Sequence, residues 1–186
     1  MDKAVIAQIA KDVLKAFLGL QQGLADGTLT TKQLEAIDSL PTGEQDRCSS
    51  VDESLERIVK LTGRSRLTQF PEVCCADATA ALGTIYTMAG VTPSDIVEVK
   101  VVQRKKNRAF NFHKWLSVEG LAIDITLGQF HPLSEHTGNA VALYTHPFEG
   151  DPTYTIERTK FIIPTPIVKF AEYIGYTYVF EPQAGS

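Results

Sequence analysis

The segment from Phe70 to Gly90 constrains the fold of this chain more than any other. It reads Phe-Pro-Glu-Val-Cys-Cys and then continues into an alanine-rich, largely apolar run that ends at Gly90. Alanine and leucine are strong helix formers, and Pro71 disfavours helical geometry in the residue before it. The pattern predicts a helix that begins at about Cys75, stops before Gly90 and, because its side chains are small, packs deep in the core.

A histidine and an aspartate follow on two predicted strands. Residues 112–118 and 121–125 have strand composition, and Glu119-Gly120 between them is typical of a two-residue hairpin turn. Pairing of Val118 with Leu121 sets the register of the hairpin, and side chains alternate between the two faces of a sheet. The side chains that this register places on one face are His113, Trp115, Asp124 and Thr126.

Cys75, His113 and Asp124 together have the chemistry of a cysteine nucleophile site. A thiol in the first turn of a helix meets the positive end of the helix dipole, and a neighbouring imidazolium makes such a thiol more acidic than a free one. His113 would take and return the proton, and Asp124, diagonal to it across the hairpin, would orient the ring.

These elements resemble those of the transglutaminase-like superfamily, which has a papain-like fold. Cys75 with its alanine-rich helix ending in Gly-Val is similar to the nucleophile helix of the family, and His-Lys-Trp and Asp-Ile-Thr are similar to its His-x-Trp and Asp-x-Thr elements. The resemblance covers about residues 65–130 and is strongest to small bacterial members. It implies an α+β fold with a papain/transglutaminase-like core, a nucleophile helix packed on an antiparallel sheet. Cys75 would be nucleophile, His113 base and Asp124 orienter.

The resemblance implies the reaction class more strongly than the substrate. Superfamily members include peptidases, deamidases and transglutaminases, and a shared fold does not define a shared substrate. We therefore expect a thiol hydrolase that acts on an amide or peptide carbonyl of a protein or peptide through an acyl-enzyme. The alternatives are transglutaminase-type acyl transfer and a non-enzymatic binding module that retains the fold. Cys74 is the rival nucleophile, and the spacing to Gly90 favours Cys75.

Several further residues are candidates for lining the site. The backbone N–H of Cys75 could stabilise an oxyanion, because the N–H groups at a helix start are unpaired within the helix. Gln69, Trp115 and Gln129 are candidates for contacts with substrate or oxyanion, and His131 follows them in sequence. Each has an alternative interpretation, as a polar loop residue or, for Trp115, as part of the core.

Composition excludes several other classes of protein. The 186 residues are 44% hydrophobic and 22% charged, which is typical of a globular protein. A net charge of −4 gives no reason to expect nucleic-acid binding, and no run is long enough to span a membrane. The N-terminus does not resemble a signal peptide, so we expect a cytoplasmic protein or, alternatively, an effector exported by a signal-less route.

The cysteines and histidines predict neither disulfides nor a bound metal. Three cysteines, an odd count, favour free thiols in a reducing compartment. His131, His136 and His146 fall in loop-like sequence and are not predicted to form a ligand set. We expect no metal and no cofactor.

Helices precede strands along the chain, which favours an α+β fold. We divide the chain into an N-terminal helical region, residues 1–50, packed on a catalytic domain, residues 51–186. Apolar residues recur at helical spacing over residues 3–24, and this helix would pack on the core or bind a partner. The other predicted helices are 30–40, which Thr30 or Thr31 would cap, 50–61, which a capping box at its first residues would open, and 164–171. The other predicted strands are 95–103, 141–145, 154–158 and 176–180, with a basic loop at 104–108.

Overall fold

The computed structural model describes residues 1–40, 67–68, 70–71, 74–103, 112–129, 141–162 and 167–176. Within these ranges the fold is α+β, as predicted, with four α-helices and one five-stranded antiparallel sheet. The helices are α1 (Lys3–Asp26), α2 (Thr31–Asp38), α3 (Cys75–Met88) and α4 (Val168–Tyr173). The strands are β1 (Ile96–Gln103), β2 (Phe112–Val118), β3 (Leu121–Ile123), β4 (Ala142–Leu143) and β5 (Tyr154–Lys160).

Helix α1 confirms the predicted N-terminal helix and packs on the core. The Asp2 side chain caps its start by accepting a hydrogen bond from the backbone N–H of Ala4, at 2.8 Å. Gly27 ends the helix with a φ of 67°, which favours glycine. One face of the helix is buried in the large hydrophobic cluster of the molecule. The residues of that face are Ile6, Ile9, Ala10, Val13, Phe17 and Leu20.

Helix α2 begins with the predicted threonine cap. The side chain of Thr30 accepts from the N–H of Gln33, and the Gln33 side chain accepts from the N–H of Thr30, which makes a capping box. At the other end, Ser39 accepts a hydrogen bond from the N–H of Phe170 at 3.0 Å. This bond ties α2 to α4, although the two helices are far apart in sequence.

Helix α3 is the central helix and begins at Cys75, as predicted. It ends at Met88, and Gly90 follows with a φ of 91°. Small side chains let this helix lie deep in the molecule, where most of its residues are buried. The hydroxyl of Tyr86 donates to the carbonyl of Ile6 at 2.8 Å, so α3 is joined to α1 by a buried hydrogen bond as well as by apolar packing.

The sheet has the strand order β4-β3-β2-β1-β5, and every pair is antiparallel. The predicted hairpin register is confirmed, because Val118 pairs with Leu121. Glu119 and Gly120 have φ angles of 51° and 76°, as a two-residue hairpin turn of type I′ requires. The hairpin therefore places His113 and Asp124 on neighbouring segments of chain.

One strand end was predicted wrongly. Strand β3 stops at Ile123 instead of Ile125, and residues 125–126 form a turn. The cause is the side chain of Asp124, which accepts a hydrogen bond from the backbone N–H of Thr126 at 2.8 Å. A bond of this kind competes with the strand ladder and turns the chain.

The observed C-terminal ends of β4, β5 and α4 each differ from the predicted ends by two residues. Strand β4 has only two residues of the five predicted, whereas β5 extends two residues beyond its predicted end. Helix α4 runs from Val168 to Tyr173, two residues past the predicted end. Residues 50–61, 104–108 and 177–180 lie outside the described residues, and so does the proposed division at residue 50. No described helix combines the length and apolar character needed to cross a membrane.

The sheet carries apolar clusters on both faces. Leu116 and Val118 of β2 belong to the large cluster that also contains the helices. Trp115, whose side chain points to the opposite face, belongs to a smaller cluster. The smaller cluster consists of Val99, Val101, Trp115, Ala122 and Phe148. His113 shares the face of Trp115 and is fully buried there.

The close contact between Gly83 and Phe161 yields a stability prediction. A Cβ atom at Gly83 of α3 would overlap the ring of Phe161, which is itself buried. We expect Gly83→Ala to lower the free energy of unfolding by about 1–3 kcal/mol through overpacking. Gly19→Ala is the matched control, because Gly19 lies exposed in α1 with no atom near its Cβ position. It should raise that free energy by about 1 kcal/mol. Urea unfolding of both variants checks this, and equal effects would contradict it.

Candidate active site

His113 is the centre of the candidate active site. Its Nε2 atom lies 2.6 Å from Oδ2 of Asp124, and its side chain also forms a hydrogen bond with that of Cys75. Because Nε2 meets the carboxylate, Nδ1 is the nitrogen that remains for the contact with the thiol, and it also lies 3.0 Å from Nε2 of Gln129. The structure therefore brings together the three residues that the sequence predicted, from α3, from β2 and from the residue after β3.

The two neighbouring cysteines differ in their surroundings. Cys75 is the first residue of α3 and is 7% exposed, whereas Cys74 precedes the helix, is 1% exposed and packs in the large hydrophobic cluster. The hydrogen bond to His113 involves Cys75. The geometry thus agrees with the prediction that Cys74 is a packed neighbour of the reactive position.

Asp124 is a buried carboxylate, and each of its two oxygens has two hydrogen-bond partners. Oδ2 lies 2.6 Å from Nε2 of His113 and 3.0 Å from Nε2 of His146. Oδ1 accepts from both the backbone N–H and the hydroxyl of Thr126, each at 2.8 Å. Burial raises the pKa of Asp124, but the charge and hydrogen bond of His113, followed by those of His146, outweigh it and hold the pKa well below its usual range. Asp124 is therefore ionised at neutral pH.

His113 is the positively charged partner of this carboxylate. Burial lowers the pKa of His113, but the charge of Asp124, the hydrogen bond to it, and the hydrogen bond and charge of Cys75 raise the pKa to about 9. An imidazolium at neutral pH follows from this value. The environment favours an ion pair with Asp124, in which Nδ1 of His113 carries a proton as well as Nε2.

His146 is the residue of this site that the sequence did not predict. It is fully buried, and its Nε2 atom contacts the same oxygen of Asp124 as His113 does. His146 lies in a loop, as predicted, but its burial beside Asp124 was not predicted. The short strand β4 and the turn after it carry the residue into the smaller cluster, next to Trp115 and Phe148. In the sequence, the burial of His146 is indicated only weakly, by the aromatic Phe148 two positions later.

The predicted lining residues have different outcomes. Trp115 is 1% exposed and stacks on His146 with ring centroids 3.8 Å apart, so it is part of the core and not an open cleft wall. Gln129 is half-buried, and its Nε2 atom lies 3.0 Å from Nδ1 of His113. Gln69 and His131 lie outside the described residues, as does His136.

The position of Gln129 depends on the charge of the histidine. In the arrangement described, its amide N–H donates to Nδ1, which requires a neutral ring protonated on Nε2. When His113 is an imidazolium, Nδ1 becomes a donor, and a half-turn of the carboxamide presents Oε1 in place of Nε2. Gln129 can therefore form a hydrogen bond with Nδ1 of His113 in both charge states of the ring.

Three side chains of this site could also hold a metal ion. One donor atom from each of His113, Asp124 and His146 lies within 4.8 Å of the others. A metal would need both histidines to be unprotonated at the coordinating nitrogen. It would therefore replace the two hydrogen bonds to Asp124. The expectation of no metal and no cofactor stays a prediction.

No protein-family model, curated protein or solved structure matches the chain. The description of the site therefore depends on its own geometry.

The raised pKa of His113 yields a prediction about stability and pH. Because the folded state holds this proton more tightly than the unfolded state, the stabilisation is present below the unfolded pKa of about 6.5 and is lost as the pH rises through about 9. We expect the urea midpoint to fall between pH 6 and pH 9.5, and to fall less in His113→Gln, whose side chain does not titrate. Equal falls in the two proteins would contradict the assignment.

Proposed function

We propose that this protein is a cysteine-dependent hydrolase that acts on an amide or peptide carbonyl through Cys75, His113 and Asp124. One observation carries the proposal. The ring of His113 is hydrogen-bonded both to an ionised, buried carboxylate and to a thiol at the start of a helix. This is the arrangement that a cysteine nucleophile and its base require.

The proposed reaction has two steps at one carbonyl carbon. The sulfur of Cys75 attacks the carbon as a thiolate, and the proton that the His113 imidazolium carries on Nδ1 passes to the leaving amine as the C–N bond breaks. Water then attacks the thioester, the now neutral His113 takes a proton from that water, and the C–S bond breaks to release the acid and restore the pair of thiolate and imidazolium. A peptide bond gives two peptides, and a glutamine side chain gives glutamate and ammonia.

The other groups of the site support this reaction in distinct ways. Asp124 keeps Nε2 of His113 engaged, so that Nδ1 faces the thiol. The backbone N–H of Cys75, at the start of α3, is a candidate oxyanion donor. Gln129, whose Nε2 atom lies 3.0 Å from Nδ1 of His113, is a candidate for contact with a substrate amide.

Membership in the transglutaminase-like class is part of the same proposal. The α+β fold and the Cys, His, Asp order support it. Transglutaminase-type transfer uses the same acyl-enzyme and differs only in that an amine replaces water.

Mass spectrometry of a peptide mixture incubated with the protein tests the proposal. The mixture contains peptides with internal glutamine and a primary amine as acceptor. Cleaved peptides indicate a peptidase, glutamine converted to glutamate indicates a deamidase, and an amine adduct indicates transfer. The Cys75→Ala protein is the control. Identical product spectra from the two proteins, over a range of substrates, would overturn the proposal.

The first prediction from this function concerns thiol reactivity. Cys75 should react with iodoacetamide faster than Cys48 and Cys74 at mildly acidic pH, because the imidazolium of His113 stabilises the thiolate. Peptide mapping over time measures the three rates in one sample. Equal rates at all three thiols would remove the activated nucleophile.

The second prediction ranks the triad by mutation. Cys75→Ala should abolish turnover, and His113→Ala should be nearly as damaging, because one ring serves as base and as acid. Asp124→Ala should leave more residual activity, since an imidazole can sometimes adopt a working orientation without its partner. Steady-state rates, with circular dichroism to verify folding, measure the order.

Cys74→Ala is the matched control for these variants. It should keep most of the activity and cost about 1 kcal/mol of stability, because a small group that packs in the large hydrophobic cluster is lost. If Cys74→Ala were inactive and Cys75→Ala active, Cys74 would be the nucleophile and Cys75 its packed neighbour.

A further inference from the structure

We propose that His146 is a positioning residue of the active site, a neutral imidazole whose Nε2–H holds the Asp124 carboxylate in place for His113. The inference rests on the proposed function, because the role of His146 is to support the base of that reaction. It adds a fourth residue to the triad, one whose two ring nitrogens have partners other than the thiol.

The hydrogen bonds of His146 define which nitrogen carries its proton. The backbone N–H of Phe148 donates to Nδ1 at 3.3 Å, so Nδ1 is the unprotonated acceptor. Nε2 then carries the hydrogen and donates to Oδ2 of Asp124 at 3.0 Å. Both nitrogens are thus engaged with groups other than Cys75. His146 is therefore the orienting histidine, and His113 is the one available to the thiol.

Aromatic packing holds the ring of His146 in this orientation. The indole of Trp115 stacks on it with centroids 3.8 Å apart and an interplanar angle of 8°. Phe148 lies 5.4 Å from it with the rings 27° apart. A fully buried ring packed in this way cannot turn without displacing the smaller hydrophobic cluster. The packing also assigns a role to Trp115, which supports His146.

Asp124 needs such support because it lies just beyond the end of β3. The strand ladder ends at Ile123, so sheet pairing with β2 does not hold the aspartate. Thr126 holds Oδ1, and the backbone N–H of Asp124 donates to Val141 just before β4. Without His146, Oδ2 of Asp124 would have His113 as its remaining partner among these residues. The carboxylate and the ring of His113 could then shift together. His146 makes the position of the carboxylate independent of the catalytic ring.

A neutral imidazole suits this position better than a charged one. Burial lowers the pKa of His146, and so does the nearby charge of His113, against the raising effects of Asp124 and Glu149. A second imidazolium on the same oxygen would weaken the attraction of Asp124 for His113. A neutral N–H donor holds the carboxylate and leaves its charge to the catalytic base.

Two substitutions separate the hydrogen bond from the packing. His146→Phe keeps an aromatic ring between Trp115 and Phe148 but removes the donor. His146→Gln keeps an N–H donor at a similar distance from the backbone but removes the ring. Thr145→Ala, at the exposed residue beside His146, is the control for changes in this segment.

Iodoacetamide alkylation of Cys75 and NMR of the imidazole N–H protons are the readouts. At pH 7 the ring nitrogens of His146 in the native protein should show a protonated Nε2 and a bare Nδ1. His146→Phe should lose one hydrogen-bonded imidazole proton signal, shift that of His113 and alkylate Cys75 about 10-fold more slowly. His146→Gln should recover most of the rate, and Thr145→Ala should match the native protein.

The outcomes distinguish this inference from the proposed function. If Cys75 of the native protein reacts no faster than Cys48, the proposed function and the role of His146 both fail. If native Cys75 is fast and folded His146→Phe is equally fast, only the role of His146 fails. A native His146 with its proton on Nδ1 would also overturn the inference, and this test needs no variant to fold.

Discussion

The site depends on one buried negative charge, that of Asp124. A carboxylate taken out of water is costly unless hydrogen bonds and an opposite charge replace its hydration. Here Thr126 supplies two donors to one oxygen, and two histidines meet the other. The turn after β3, the charge of His113 and the buried place of His146 all follow from the need to keep this group ionised.

Two histidines on a single oxygen have different roles because their second nitrogens meet different partners. Nδ1 of His146 accepts from the backbone N–H of Phe148, whereas Nδ1 of His113 lies 3.0 Å from Nε2 of Gln129 and the ring of His113 is hydrogen-bonded to the thiol. In the proposed mechanism, the imidazole of His113 therefore transfers a proton, whereas that of His146 keeps its proton and donates a hydrogen bond to Asp124. For each histidine, the partner of Nδ1, the ring nitrogen that does not meet Asp124, decides the proposed role.

Much of the fold could be predicted because its signals are local. The small side chains after Cys75, the glycines at positions 27 and 90, the threonine cap at position 30 and the Glu-Gly turn each act within a few residues. The turn also sets the hairpin register, which brings Asp124 beside His113. The prediction of β3 failed at Asp124, because a side-chain bond to Thr126 replaced the next step of the ladder.

The sequence by itself determined the elements that carry Cys75, His113 and Asp124, since helix starts and hairpin registers depend on neighbours in the chain. Only the tertiary structure decided that His146 joins them, that Trp115 lies behind His146 and that Cys74 packs in the core. His146 is 22 residues from Asp124, and no spacing rule links two residues whose contact depends on how β4 pairs with β3. Such contacts are decided by packing, where burial and charge act between distant parts of the chain.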